Sequence, residues 1–310
     1  MTKTIPGIHH VTAICAAPQE NVSFYTDVLD QRLVKRTVNF DAPDTWHLYY
    51  GDRTGQPGTI MTFFPFINAG PGRPGPGMAS AHAYAVPKGG FDPWIERIAL
   101  DARDFEGPEL RFGERVISLK DPDGAVVELV ETDRAPTGAS LDGFHSVTLW
   151  EADPQRTARV LTDVFGYEAK GEETSEGITR LRLAAPGDAR GRVIDLIRSD
   201  ARVNARQGAG TIHHVAFRAE TDEVQKDWRE RLLSAGHQVT PVIDRNYFNA
   251  IYFREPGGVL FEIATDPPGF AVDEPVESLG TTLKLPAQYE PIRDRIERVL
   301  PPLKVSRGAP

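Results

Sequence analysis

The sequence predicts an α+β fold of four β-α-β-β-β units that pair into open half-barrels. Three observations lead there. The chain repeats itself at a fixed spacing, each repeat is itself double, and every one of the four parts opens on a short apolar strand.

Two echoes carry the repeat. "PQENVSFYTDVLD" from Pro18 returns as "PQRTARVLTDVFG" from Pro154, an offset of 136 that lays Thr26-Asp27-Val28 on Thr162-Asp163-Val164. "DPDGAVVELVETD" from Asp121 returns as "EPGGVLFEIATDP" from Glu255, an offset of 134 that lays Glu128 on Glu262. The offsets differ by a small indel, so the two halves are homologous. Strand signals open four units near Ile8, Ala81, Phe144 and Ile212. Amphipathic helices are predicted at 18–30, 154–166 and 222–236, with a weaker one at 91–100. Apolar, β-branched segments follow each, and "DPDG" and "EPGG" are turns before a last strand.

The expected organisation is an N-terminal pair of units, 5–135 (5–67 and 80–135), and a C-terminal pair, 141–270 (141–200 and 210–270). The Gly/Pro-rich stretch "NAGPGRPGPGMAS" (68–80) separates the first two units, and "DRAPTGASLDG" (133–143) separates the halves. The first of these lacks the lysine and threonine of a phosphate-binding loop and reads as a linker. The Pro-rich tail, 271–310, carries one helix near Pro291–Leu300 and is expected to wrap the body.

Of 310 residues, 40% are hydrophobic and 25% charged, the balance of a globular protein. A net charge of −9 repels polyanions, and no Lys/Arg run offsets it, so neither nucleic acid nor an anionic membrane is an expected partner. The start has no apolar run of signal-peptide length, and no stretch approaches a membrane span. The single cysteine, Cys15, rules out an internal disulfide and sits among Ile14, Ala16 and Ala17 as a buried thiol. A cytoplasmic location is expected.

The eight histidines include two adjacent pairs in matching settings, "IHHVT" (8–12) and "IHHVA" (212–216). Strand alternation puts His10 and Thr12 on one face and His9 on the other. His214 aligns with His10, and His82 in "SAHAYAV" offers a third ring at the corresponding place of unit two. The offset of 136 lays His145 on His9 and Ser146 on His10, so His145 is on the wrong face. Glu128 and Glu262 lie in strands apolar on both faces. A carboxylate buried there needs a pair or a metal. Two triads follow: His10, His214 and Glu262 if units one and four share a trough, or His10, His82 and Glu128 if units one and two do. Two imidazoles and a carboxylate leave positions open on a divalent ion, the facial arrangement of non-haem Fe(II) oxygenases, and they also suit Mn²⁺ or Zn²⁺. The plainer readings are Glu128 satisfied by Arg111, His9 fixing strand pairing, His47 packing in a hairpin, and His237 at the surface.

The blocks "GIHHVTAI", "TVNFDAPDTWHLYYGD", "PGTIMTFFPF", "TIHHVAFRA" and "DRNYFNAIYFREPGGVLFEIATDPPGF" resemble the vicinal-oxygen-chelate superfamily of glyoxalases and extradiol dioxygenases. Within it they resemble para-hydroquinone ring-cleaving dioxygenases of the chlorohydroquinone 1,2-dioxygenase type. The resemblance covers most of residues 5–270. It implies a vicinal-oxygen-chelate fold and an Fe(II) enzyme (Mn(II) as the substitute) that opens a small dihydroxylated aromatic with O₂, as a homo-oligomer. It places the metal ligands on His10, His214 and Glu262, and so selects the first triad. It places an active-site threonine on Thr12, and an arginine and a tyrosine at the open positions on Arg245 and Tyr252. His213 matches a histidine beside the ligands. Tyr247, Phe248 and Phe63 are expected to wall the pocket. Catechol-type enzymes of the superfamily would need a histidine at Ser146. Two other classes stay open: a glyoxalase-like lyase or isomerase with Glu128 as a second carboxylate ligand, and a non-enzymatic binder of aromatic or quinone compounds.

Overall fold

The computed structural model describes residues 4–101, 103–133 and 141–305. Unit one is β1 (Ile8–Cys15), α1 (Pro18–Ser23), β2 (Arg32–Asn39), β3 (Ala42–Gly51) and β4 (Ile60–Pro65). Unit two is β5 (Met78–Pro87), α2 (Phe91–Leu100), β6 (Phe105–Arg111), β7 (Glu114–Lys120) and β8 (Val126–Thr132). Unit three is β9 (Phe144–Trp150), α3 (Pro154–Arg159), β10 (Glu168–Ser175), β11 (Ile178–Ala184) and β12 (Val193–Ser199). Unit four is β13 (Thr211–Ala219), α4 (Asp222–Ser234), β14 (Ile243–Asp244), β15 (Phe248–Arg254) and β16 (Leu260–Pro268). A final helix, α5 (Arg293–Val299), lies in the tail.

The helices start where their sequences can satisfy free N–H groups. Proline occupies the first turn of α1 and α3, where its missing N–H costs nothing. The Asp153 side chain accepts from the Gln155 N–H, and Thr221 accepts from the Val224 N–H. The predicted helices at 18–30 and 154–166 are α-helical only in their first part. Each widens into a π-helical turn, Phe24–Val28 and Val160–Val164, over the repeated Thr-Asp-Val. The wider turn carries Phe24, Tyr25 and Val28 in one repeat, and Val160 and Leu161 in the other, into the core.

Two eight-stranded sheets result, ordered β14-β15-β16-β13-β1-β4-β3-β2 and β10-β11-β12-β9-β5-β8-β7-β6. The expected bodies, 5–135 and 141–270, follow the order of the chain; the sheets do not. Units one and four form the first sheet through antiparallel β1 and β13, and units two and three form the second through antiparallel β5 and β9. The reason is that a unit's first strand has one edge free after pairing with its own last strand, and any other first strand can satisfy it. The linker between units one and two lets the chain change sheets. It is hydrogen-bonded throughout its middle, with Pro71 bridging to Ala209 and Arg73 to Arg206. Residues 134–140 of the expected linker between the halves lie outside the described residues, as do 306–310 of the tail.

A continuous apolar core runs under both sheets and includes Tyr25, Phe63, Tyr84, Phe144, Phe165, Phe217, Trp228 and Phe261. Each such side chain stabilises the fold by about 1.5–3 kcal/mol through burial. Cys15 is buried and free. The tail runs along the outer strands of the first sheet: the Trp46 indole donates to the Pro301 carbonyl, Tyr289 donates to the Phe40 carbonyl, and Arg36 donates to the Thr281 carbonyl. No helix among the described residues is long and apolar enough to cross a membrane.

Candidate metal centre

Strict alternation would send the two histidines of each pair to opposite faces. The structure departs from this at a β-bulge in each strand. Ile8 faces Phe217 and His10 faces Ala216, so His9 is an extra residue on β1; Thr12 faces His214 and Ala13 faces Ile212, so His213 is an extra residue on β13. Each bulge swings the first ring alongside the second. His9 Nδ1 lies 2.9 Å from His10 Nδ1, and His213 Nδ1 lies 2.7 Å from His214 Nδ1. In each pair one Nδ1 must donate and the other accept. With Nδ1 engaged, the Nε2 atoms of His10 and His214 are the ones turned toward Glu262 on β16, at 3.4 and 2.9 Å from its Oε2.

Ligand atoms of His10, His214 and Glu262 all lie within 4.8 Å of one another, and all three residues are buried. Neither imidazole–carboxylate approach has hydrogen-bond geometry, and both Glu262 oxygens are buried with no hydrogen-bond partner among the described residues. A bare buried carboxylate is costly. Burial works against its charge, but the facing imidazoles of His10 and His214 outweigh it and hold the Glu262 carboxyl well below the usual carboxylate range. Burial lowers the His214 imidazole, against the pull of Glu262. Two imidazole nitrogens and a carboxylate oxygen in one buried cluster fit a divalent cation.

The second sheet is the internal control. Ala83 faces Glu128 there as Ala216 faces Glu262 here. The register then sets Ser146 at the place of His10 and Ala81 at the place of His214. The imidazoles are gone, and Glu128 accepts from the Arg111 guanidinium at 2.7 Å and from Ser118 at 3.4 Å. The same carboxylate thus meets a cation in one trough and carries two unpartnered oxygens in the other. His145 sits at the bulge equivalent to His9 and bonds Ser146 Oγ and Glu114 instead. The expectation that His82 corresponds to a ligand is corrected. It lies on the opposite face, wholly buried against Tyr25, Tyr84 and Phe144, with neither ring nitrogen partnered among the described residues. The triad His10, His82 and Glu128 is therefore not assembled. The residue at the matching place is Ala81.

The remaining expected residues gather around the first cluster. Tyr252 on β15 is directly opposite Glu262, with its ring edge-on to His214 at 5.9 Å. Arg245 donates from Nε to the Tyr252 hydroxyl at 3.2 Å and from Nη1 to Asp41 at 3.1 Å. Burial opposes the Arg245 charge, but Tyr252 and Asp41 more than restore it, so its pKa is raised. Burial, then the Glu262 charge, pushes the Tyr252 phenol well above its usual range. Burial, then His214, lowers His213 to about 3, so that ring is neutral. Thr12 faces His214 across the β1–β13 pair. Of the expected walls, Phe248 packs on His10 at 4.9 Å, and Tyr247 is buried beneath Lys35. Phe63 points away, into the core with Tyr25; its neighbour Phe64 is the ring beside His213 and His47.

One residue was read as hairpin packing and is not. His47 on β3 bonds Thr62 through Nε2 at 2.6 Å and Tyr49 through Nδ1 at 2.8 Å. Burial, then the proximity of His10 and His214, lowers its pKa well below the ordinary histidine value. The alternation of His47 and Tyr49 along β3 was the available signal, since it puts both on one face.

A family model for the Glyoxalase/Bleomycin resistance protein/Dioxygenase superfamily matches residues 7–129 and 143–263. The chain is 46% identical, over 98% of its length and 99% of the relative's, to a Bacillus subtilis (strain 168) protein named provisionally as the ring-cleaving dioxygenase MhqO. It is 32% identical, over 97% of each, to the chlorohydroquinone/hydroquinone 1,2-dioxygenase of Sphingobium indicum. A crystal structure of a protein provisionally described as a Bacillus subtilis dioxygenase superimposes with a TM-score of 0.92 at 46% identity, covering 99% of both chains. Glyoxalase I from Zea mays shares the fold at a TM-score of 0.64 and 14% identity, over 84% of this chain and 92% of that one.

Proposed function

From the premise that this chain belongs to the Glyoxalase/Bleomycin resistance protein/Dioxygenase superfamily, we propose that it is a ring-cleaving dioxygenase acting on a hydroquinone-type aromatic. Its metal is Fe(II), with Mn(II) as the substitute, held by His10, His214 and Glu262. The observation that carries this is the buried Glu262 carboxylate, which faces two imidazoles and whose oxygens have no hydrogen-bond partner among the described residues. The kinship over 97% of both chains with the chlorohydroquinone/hydroquinone 1,2-dioxygenase supplies the substrate class. When bound, the ion lowers the pKa of a coordinated hydroxyl and supplies the redox chemistry with O₂.

The protein's own groups do the rest. Arg245 leaves its contact with the exposed Asp41 and binds an anionic substrate oxygen; its guanidinium stays charged throughout. The Tyr252 phenol keeps its proton at neutral pH and donates it as a hydrogen bond to oxygen beside Glu262. His213, neutral, accepts from His214 Nδ1–H, which fixes the ligand ring with Nε2 free to hold the ion, and its own Nε2–H donates a hydrogen bond toward the substrate. Phe248 and Phe64 shield the cluster from water. The enzyme works in the cytoplasm as a homo-oligomer, without a nucleic-acid or membrane partner. A glyoxalase-like lyase would call on Glu128 as a further carboxylate ligand. Glu128 lies in the other sheet on Arg111, which favours the dioxygenase reading.

Anaerobic loading with Fe(II) followed by oxygen-electrode assays with hydroquinone, chlorohydroquinone and catechol tests this. O₂ uptake is expected with the hydroquinones. Metal at about a hundred times its Kd should raise unfolding stability by about 2.7 kcal/mol, and Glu262→Ala should abolish both effects. Iron-replete protein that consumes no O₂ with any of these substrates overturns the proposal.

A further inference from the structure

Three side chains from β3 and β4 enter the first trough and are assigned nothing by the reading above. The Tyr49 hydroxyl lies 2.8 Å from His47 Nδ1, His47 Nε2 lies 2.6 Å from Thr62 Oγ1, and Thr62 Oγ1 lies 3.3 Å from Thr12 Oγ1. Thr62 is Thr12's register partner on β4, and His214 is its partner on β13. The chain therefore ends on a hydroxyl one strand away from a candidate ligand. Thr12, Tyr49 and Thr62 are all buried, which leaves water little part in orienting them.

Each member has one proton to place, so the direction of the first bond fixes every later one. A phenol is a far better donor than an acceptor toward an imidazole nitrogen, while an aliphatic hydroxyl accepts readily from an imidazole N–H. Tyr49 then donates to His47 Nδ1, His47 Nε2–H donates to Thr62, and Thr62 donates to Thr12. The Thr12 hydroxyl is left with its own proton and an oxygen already occupied on the Thr62 side. The opposite polarity would make Thr12 donate to Thr62 and leave only lone pairs facing the metal cluster.

We infer that Tyr49, His47 and Thr62 are positioning residues whose hydrogen-bond chain turns the Thr12 proton toward an anionic oxygen of the substrate beside His10, His214 and Glu262. The substrate oxygen rests on the dioxygenase reading. The polarity of the chain does not. A hydroxyl with a fixed direction adds its hydrogen bond as charge develops on that oxygen, without first having to reorient.

Two arms test this. ¹⁵N NMR of histidine-labelled, metal-free protein should show His47 as the Nε2–H tautomer with Nδ1 unprotonated. Tyr49→Phe should shift it toward a mixture of tautomers in protein that still unfolds cooperatively, at a melting temperature lowered by the loss of one buried hydrogen bond. In steady-state assays of Fe(II)-loaded enzyme, Thr62→Val should lower kcat about tenfold, near the worth of one hydrogen bond, with KM little changed. Thr62→Ser should restore it, and Thr62→Val should add nothing further to Thr12→Val. A His47 protonated at Nδ1 overturns the inference. So does additive loss in the Thr12→Val/Thr62→Val double variant. Wild-type enzyme without O₂ uptake would instead overturn the dioxygenase reading, and the NMR arm would still decide the polarity.

Discussion

Lys35→Met probes what fastens the last segment of the chain to the trough. The Lys35 side chain is fully buried, and its Nζ lies 2.5 Å from Asp273 Oδ1 and 2.6 Å from Glu274 Oε2. At an effective dielectric of about 20, one such contact is worth roughly 6 kcal/mol before desolvation. Much of that is offset by taking the ammonium out of water. The variant is costly for a different reason: Glu274, 3% exposed, loses its cation. Breaking one partner out of a buried pair typically costs about 3–5 kcal/mol. Glu274 still accepts from Thr282 at 3.1 Å, and Asp273, 28% exposed, can turn to water, so the lower end applies, about 3 kcal/mol. Methionine retains the packing of the lysine stem, which keeps a cavity contribution small. Denaturant and thermal unfolding of the metal-free protein read the loss directly; at about 2–4 °C per kcal/mol for a chain of this size class, the melting temperature should fall by roughly 6–12 °C. Adding Glu274→Gln should recover most of it. A loss below about 1 kcal/mol, the scale of an exposed pair, or no recovery in the double variant, would refute the reasoning. The loss should also reach the site, because Tyr247 donates to Asp273 and lies under Lys35 between Arg245 and Phe248. KM for the aromatic should rise with it.

Glu151 offers a pH test. Burial, then the neighbouring Glu255, raises its pKa from 4.5 to about 8, and neither of its oxygens has a hydrogen-bond partner among the described residues. The folded state holds a proton that the unfolded chain has released. Stability is therefore full below pH 4.5 and falls as pH rises toward about 8, by up to about 1.4 kcal/mol per pH unit. Glu151→Gln should flatten that slope in urea titrations between those limits, and an unchanged slope would exclude Glu151 as its source. His82→Leu should leave the melting temperature unchanged or raise it, because two buried ring nitrogens without partners are replaced by an apolar group; a large loss would mean that the ring makes a polar contact in solution.

The duplication, the four units and the buried glutamates were legible because hydrophobic patterning and short-range repeats are local properties. Pro18 and Pro154 mark helix starts, and Glu262 between two apolar neighbours marks a buried acid, whatever lies across the sheet. The two β-bulges were not legible. Nothing in "IHHVT" states that His9 is an extra residue, because a bulge is a mismatch between two strands and belongs to neither alone. His82 misled for the same reason: it has the right residue type in the right motif, one place out of phase with the face that its partner strand defines.

What the sequence alone determined is therefore the inventory: which side chains can bind a cation, which must be buried, and which segments are copies of one another. Tertiary structure decided the partnerships. It joined unit one to unit four rather than to its neighbour in the chain, and so brought His10 within reach of Glu262 on a strand some 250 residues away. It also gave the second trough's Glu128 to an arginine. The physical reason is that a strand's edge bonds to whichever complementary edge folding brings alongside. A site made of three strands exists only once that pairing has been chosen.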